Sequence, residues 1–347
     1  MSKKITSQEL NADWVVSVIG PTGSGKTELA VKLAQQWLAQ GEQVAVISLD
    51  TRQCWRELPL LSVADAAGWE HLMQLFGKQN LQVYNLASVP LNSNWSFGTL
   101  LAAAREQLQT AQAAGHRIIT VGGALICQQR LLWQENDVTS VPPDDNVRFA
   151  AEAMNVEQLQ SWLRRVDLAT WEQMNHSDQC NPRRLVRKIE IALAKKMGIV
   201  DQKQEKIPVN QVFLLPERAK KLEETKIAAR VLQRWQDVAV RQEVIKVMAK
   251  FKDWASNEQL QSQLPLGFMQ LASWLQYQKQ EITPFLATLW QNQAQELSFN
   301  AQQVEQLLLN DWQKKEWHYA KRQMTLLRQI LADSQTYLID EREISAH

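Results

Sequence analysis

Eight consecutive residues, "GPTGSGKT" from Gly20 to Thr27, set glycines, a lysine and hydroxyl side chains in the order G-x-x-x-x-G-K-[ST]. Gly20, Gly25, Lys26 and Thr27 meet that pattern. Glycine lets a backbone curl until several N–H groups face one point, and such an array holds phosphate oxygens. Pro21, Thr22, Gly23 and Ser24 would complete the cradle. Lys26 adds a positive charge, and the Thr27 hydroxyl can ligate Mg²⁺. The pattern calls for a di- or triphosphate without saying which, and ATP is its default occupant. A second candidate is Asp50, which ends the apolar run "VAVISLD". A carboxylate beside bound phosphates repels them unless it binds Mg²⁺ or takes a proton from a nucleophile. A helix cap or a salt-bridged turn is the ordinary alternative for such a residue.

The flanking residues supply the elements these groups need. "WVVSVI", Trp14 to Ile19, reads as a buried parallel strand, and "TELAVKLAQQWL", Thr27 to Leu38, has helical spacing. Strand, tight loop and helix N-terminus together make an anion site from backbone dipoles alone. Further parallel strands are expected at Gln43–Leu49, Leu81–Leu86 and Arg117–Val121, and "QVFLLP", Gln211 to Pro216, is a candidate late strand returning to the same sheet. Asp50 then sits at the carboxyl end of its strand, the edge where open α/β sheets bind ligands.

Ten of the twelve glycines lie before residue 124, so the turns of an α/β sheet are concentrated in the first third and the rest reads as helix. The expected fold is α/β, with a P-loop NTPase-like parallel sheet core flanked by helices, a helical insertion and a helical C-terminal part. The expected division is 1–140 for the core, 141–180 for the insertion after the linker signal "VPPDD", and 181–347 for the mainly helical remainder. Within the insertion, Leu159, Trp162, Leu163 and Val166 form a helical apolar stripe. The Trp-rich stretch 218–335 is expected to use its aromatics for core packing.

Lys and Arg number 38 against 37 Asp and Glu, so no net charge announces nucleic acid, and any basic surface must be local. Cys54, Cys127 and Cys180 are odd in number and widely separated, which argues against a disulfide framework or a zinc module and fits a reducing cytoplasm. The opening stretch lacks the apolar run of a signal peptide, and no run approaches the ~18 apolar residues of a membrane span. Near-neutral charge and helical bulk are compatible with a monomer.

Two more stretches narrow the reading. "NPRRLVRKIEIALAKK", Asn181 to Lys196, carries six basic residues and one acid, and "YAKRQMTLLR", Tyr319 to Arg328, spaces basic residues along a helix. Together with "GPTGSGKT", "DTRQ" and "VGG" (Val121 to Gly123), the chain resembles the tRNA dimethylallyltransferases, also called tRNA isopentenyltransferases. The order and approximate spacing of that family's motifs are matched from about residue 14 to residue 330.

The resemblance implies that the loop holds the diphosphate of dimethylallyl diphosphate rather than ATP. It implies that N6 of the adenosine beside the anticodon, position 37 of a tRNA anticodon stem-loop, attacks the allylic carbon. Asp50 would accept the amine proton, while Lys26 and Mg²⁺ on Thr27 stabilise the leaving group. Arg230, in "TKIAAR" with Lys226, falls where the family has a basic element tied to the diphosphate. Thr51, Arg52, Gln53, Arg183, Arg184, Arg187, Lys321, Arg322 and Gln323 would contact tRNA.

The chain also departs from the pattern. "VGGTGLY" stands here as "VGGALIC", so Ala124 replaces a Thr and Cys127 an aromatic. A GTAKP element aligns with "LLSVADA", giving Ser62 for its Thr and Ala64 for its Lys. "YNLAS" lacks the family's His and Asp, and Asn181 replaces an Asp. Four readings stay open: a divergent tRNA prenyltransferase, a prenyltransferase of free adenine nucleotides, a tRNA-binding protein without turnover, and a small-molecule P-loop kinase.

Overall fold

The computed structural model describes residues 3–64, 66–93, 95–131, 141–199, 210–216, 223–292, 300–333 and 336–339. Two compact units partition the chain: Met1–Leu132 with Pro208–His347, and Trp133–Ile207.

Among the described residues the larger unit is built on seven parallel strands: β1 (Lys3–Lys4), β2 (Trp14–Val18), β3 (Val44–Ser48), β4 (Leu81–Tyr84), β5 (Arg117–Val121), β6 (Asn210–Pro216) and β7 (Thr336–Ile339). Their order is β1-β7-β6-β2-β5-β3-β4. Val, Ile and Leu dominate the central strands because both faces are covered, as parallel sheets require. Val16, Val18, Val46, Ile119 and Leu214 are fully buried or nearly so. The late strand expected from "QVFLLP" is β6, and it pairs directly with β2, Val16 opposite Val212. β1 and β7 escaped the sequence reading. β1 is two lysines with no apolar pattern, and β7, "TYLI", follows directly on the long helical stretch with no glycine or proline to set it off.

The strand order decides the chemistry. β2, β5 and β3 are neighbours, so the residues that leave their carboxyl ends (Gly20–Gly25, Gly122–Gly123 and Leu49–Gln53) meet at one edge of the sheet. Loops at that edge, beside a strand-order switch, are where open α/β sheets place ligands.

Between β6 and β7 the described residues of the larger unit are mainly helical. Helices Glu224–Gln236, Val238–Lys250, Phe268–Tyr277, Pro284–Gln291 and the long Ala301–Asp333 surround one apolar cluster. Trp235 lies 6.3 Å from Trp274 and 6.4 Å from Trp312, centroid to centroid, so these aromatics pack the core as expected. Gly267 lies flat on Trp312: a Cβ there would come within 2.1 Å of the ring.

The smaller unit differs from the expected division. Helix Pro182–Lys196 belongs with it, because Leu185 and Ile189 share a cluster with Leu159, Leu163 and Val147. The insertion therefore runs on past residue 180, to Ile207. Its start near residue 140 lies outside the described residues. The stripe on Val156–Val166 is as read, with Leu159 and Leu163 fully buried and Trp162 and Val166 partly so. Local signals fix the helix starts: Asn155 and Gln158 form a capping box, Asn181 accepts from the Arg184 N–H, and Pro182 takes the first helical position. Asn181, where the family has Asp, is thus a cap in this chain.

Trp312→Ala removes a large, fully buried side chain. It is expected to lower the unfolding free energy of the larger unit by about 3–5 kcal/mol, read by chemical denaturation.

Candidate active site

Where the three strand ends meet, a cavity of about 710 Å³ opens. Thr22, Gly23, Gly25, Lys26 and Thr27 line one end, and Asp50, Arg52, Gln53 and Gly123 lie along its base. Arg230, Arg234, Glu316, Tyr319 and Gln323 come from the helical part of the same unit, and Pro59–Ala64, Pro265 and Leu266 add an apolar wall. Gly20, Pro21 and Ser24 are buried behind the loop and do not line the space.

Each loop residue has a specific position. Lys26 begins helix Lys26–Ala39, is buried, and donates to the Pro21 carbonyl at 3.3 Å. Burial brings its ammonium down to about 8, against the opposing pull of Asp50 and with some help from Arg230. Arg230 presses on the loop: its Nη1 is 2.9 Å from the place a Cβ on Gly23 would occupy. Its carbonyl accepts from Arg234 Nε at 3.4 Å, but no hydrogen bond or ion pair joins the Arg230 guanidinium to another described residue. Burial, and next the charge of Arg234, push its guanidinium below the ordinary range. Lys226, by contrast, is exposed and paired with Glu223 at 3.0 Å.

Asp50 is buried and gripped by backbone. Oδ1 accepts from the N–H of Arg52 at 2.8 Å and of Gln53 at 3.3 Å, and Oδ2 accepts from the Gly123 N–H at 3.0 Å. One carboxylate thereby joins the ends of β3 and β5. Gly123 must lack a side chain, since a Cβ would stand 2.7 Å from Asp50 Oδ2 and 2.8 Å from Gln323 Nε2.

Gln323 was expected at a tRNA surface. In the structure it is buried. Its Oε1 accepts from the Thr22 N–H at 2.8 Å and its Nε2 donates to the Gly123 carbonyl at 3.0 Å. It staples the phosphate loop to the Asp50 side of the site. The cause is helical periodicity: Glu316, Tyr319 and Gln323 fall on one face of Ala301–Asp333 and turn inward, while Lys321 and Arg322 are exposed.

Gln53 is likewise occupied, donating to the carbonyls of Ser62 at 3.3 Å and Val63 at 2.8 Å. Its donors hold the cavity wall rather than offering themselves to a base. Arg52 reaches the Leu264 carbonyl at 2.5 Å, and Thr51 is half-buried with its carbonyl 3.5 Å from Cys54 Sγ.

In the smaller unit Arg187 pairs with Glu190 at 2.8 Å and donates to Val141, and Arg184 pairs with Asp178. Arg183 is exposed. The spacing put these three on one basic face, but the buried Glu190 claims Arg187.

Several groups were not anticipated. Arg234 bonds Glu316 at 2.8 Å and the Leu61 carbonyl at 3.3 Å. Glu243 accepts from the N–H groups of Leu60 and Leu61 at 2.9 and 3.0 Å. Between them they hold a wall in which Val63 has φ +56°, an uncommon value for a β-branched residue. The i, i+3, i+7 spacing of Glu316, Tyr319 and Gln323 was a signal for the inward face. Nothing local flags Glu243.

The departures are accommodated. The Ser62 hydroxyl bonds Leu58 O at 2.7 Å, Ala64 is buried in the cavity wall, and the Ala124 N–H donates to Leu49 O at 3.1 Å. Cys54 and Cys127 are each pushed up to about 12 by burial and then by Asp50, so both remain thiols.

Mg²⁺ suits the loop end. Thr27 offers one hydroxyl lining the cavity, and Mg²⁺ sites commonly use few protein ligands, completed by substrate phosphates and water. Among the described residues no cluster of three or more His, Cys, Asp or Glu could cage a metal, and no helix is long and apolar enough to cross a membrane.

Comparison with known proteins adds lineage to this geometry. A family model described as isopentenyl transferase matches residues 14–89. The tRNA dimethylallyltransferase of Rhodopseudomonas palustris is 30% identical over 214 residues, covering 58% of this chain and 61% of that protein. That of Methylocella silvestris is 30% identical over 213 residues, covering 58% and 64%. The chain thus spans a little over three-fifths of the length of these relatives. A crystal structure of a eukaryotic dimethylallyltransferase acting on tRNA superposes with a TM-score of 0.61 at 17% identity, over 95% of this chain and 74% of that one, which shows a shared fold. A model described as IPP transferase matches residues 78–330, well over half of the sequence, and the chain belongs to that family.

Proposed function

We propose that this protein transfers a dimethylallyl group from dimethylallyl diphosphate to N6 of the adenosine at position 37, beside the anticodon of tRNA. The observation that carries the reading is Arg230. A guanidinium driven into the cavity against Gly23, with no partner among the described residues, is a costly arrangement unless an anion completes it. Lys26, the loop N–H groups and Arg230 surround one diphosphate. Asp50, at the base of the same cavity, is fixed by its three backbone bonds, and Oδ2 keeps one acceptor site to spare.

The chemistry follows from that separation of charge. The adenine N6 forms a bond to the allylic C1 as the C1–O bond to diphosphate breaks. Asp50 takes a proton from the amine, and general-base help of this kind is worth about 10²–10⁴-fold. Lys26 and Arg230 stabilise the charge gathering on the leaving diphosphate, which is where transition-state charge develops. Mg²⁺, held by Thr27, supplies further charge neutralisation when bound. The apolar wall Pro59–Ala64 with Pro265 and Leu266 receives the isoprenoid methyls and limits water. The adenine has to leave its stack to enter. Lys321 and Arg322, exposed on the long helix beside the inward Tyr319 and Gln323, meet RNA phosphates outside the cavity. Thr51, Arg52, Arg183 and Arg184 are candidates for further RNA contact. The setting expected for such a protein is cytoplasmic.

Incubation with labelled dimethylallyl diphosphate and unmodified tRNA is expected to move label to the RNA without ATP. Asp50→Asn is expected to bind both substrates and transfer at least about 100-fold more slowly. An ATP requirement favours the kinase reading, and binding of both substrates without transfer favours a non-catalytic RNA-binding protein.

Donor binding tests the loop. Arg230→Gln is expected to weaken it about 10- to 100-fold, the worth of a charged hydrogen bond. Because Lys26 titrates near 8 in the free site, its charged form is full below that pH and lost above it, so binding is expected to weaken about tenfold from pH 7 to pH 9. Lys26→Met flattens that dependence. Titration calorimetry across the range checks both.

Lys321→Ala with Arg322→Ala is expected to weaken tRNA binding and reduce the slope of log K against log salt by about 2. Filter binding at several salt concentrations reads the slope.

A further inference from the structure

Tyr319 is a polar group without a task. It is largely enclosed on the inward face of the long helix and lines the cavity, and no hydrogen bond ties its hydroxyl to another described residue. Its position is nevertheless tightly set. Gln323, one helical turn along, is locked by its two bonds to Thr22 and Gly123, and Glu316, one turn back, is locked to Arg234. The backbone that carries Tyr319 is pinned on both sides.

The hydroxyl lies near Asp50. The point beside Gly123 where a Cβ would stand lies 2.7 Å from Asp50 Oδ2 and 3.5 Å from Tyr319 Oη. The carboxylate oxygen and the phenol oxygen therefore lie close to one point beside Gly123, with Gln323 Nε2 2.8 Å from it as the third polar group, and all of these residues line the same cavity. Burial, and then the charge of Asp50, hold the phenol above its ordinary range, so it stays protonated across working pH. It can accept a hydrogen bond without becoming a second base.

A primary aryl amine has two N–H groups and a lone pair delocalised into its ring. One N–H goes to Asp50. If the other also meets an acceptor, the nitrogen is oriented and its lone pair is drawn out of conjugation toward the carbon it attacks. We infer that Tyr319 Oη is that second acceptor, making Tyr319 a catalytic residue that orients the adenine N6 amine opposite Asp50. The inference rests on the transfer reaction proposed above. In that step N6–C1 forms, C1–O breaks, diphosphate leaves and the proton goes to Asp50. Tyr319 gains and loses nothing.

Tyr319→Phe keeps the ring and removes the oxygen. With donor and RNA saturating, its transfer rate is expected to fall about 3- to 10-fold, the worth of one neutral hydrogen bond, with donor affinity unchanged. The decisive readout is recognition of the amine itself. Equilibrium binding is measured for two anticodon stem-loops, one with adenosine at the target position and one with purine riboside, which lacks the amine. The wild-type protein is expected to prefer adenosine, and Tyr319→Phe to lose about 3- to 10-fold of that preference. A wild-type rate in Tyr319→Phe, a slowed rate with undiminished preference, or a wild-type protein indifferent to the amine each overturns the assignment. Should the wild-type protein transfer no label, the prenyl-transfer reading fails, and the binding preference alone still decides whether Tyr319 touches the amine.

Discussion

Two hydrogen bonds from one side chain hold the site together. Gln323 accepts from Thr22 in the phosphate loop and donates to Gly123 beside Asp50, linking an anion cradle to a carboxylate that would otherwise be independent loops. A primary amide suits the task because it carries an acceptor and a donor on one planar group. Both bonds are largely buried, so replacing either partner would strand a polar group at a cost of about 1–3 kcal/mol. The staple also fixes the rotation of the long helix, and with it the direction in which Glu316 and Tyr319 point.

Charge in the cavity is kept in separate compartments. Arg234 is neutralised by Glu316, and its guanidinium lies 4.8 Å from the Trp312 ring, so it serves as structure. Asp50 is satisfied by backbone N–H groups rather than by a cation. That leaves Lys26 and Arg230 as positive charges at the loop without carboxylate salt bridges among the described residues. A site that pairs its own acids and bases internally would have little reason to bind a diphosphate. This one reserves two cations at one end and a spare acceptor at the other.

The wall Leu58–Ala64 shows how a helical extension serves a sheet-edge site. Its carbonyls are held by Gln53 and Arg234 and its N–H groups by Glu243, and the φ of Val63 persists because these contacts fix its neighbours. Burial raises the Glu243 carboxyl above its ordinary range, although the two N–H groups it receives work against that shift. Residues more than a hundred positions apart in sequence thereby shape one apolar surface.

Local sequence determined much of this. Strands β2 to β6, the glycine-rich loop between β2 and the helix that Lys26 begins, the stripe on Val156–Val166 and the place of Asp50 at the end of its strand were all legible, because each depends on nearby residue types and on the periodicity of strand or helix. Tertiary structure decided the rest. It turned Gln323 and Gln53 from presumed RNA contacts into braces, gave Arg187 to Glu190, and assigned the helix Pro182–Lys196 to the smaller unit. Those outcomes depend on which distant groups a side chain meets once the chain is packed. A polar residue in a basic motif reads the same whether it faces solvent or a buried carbonyl, and only the packed chain tells the two apart.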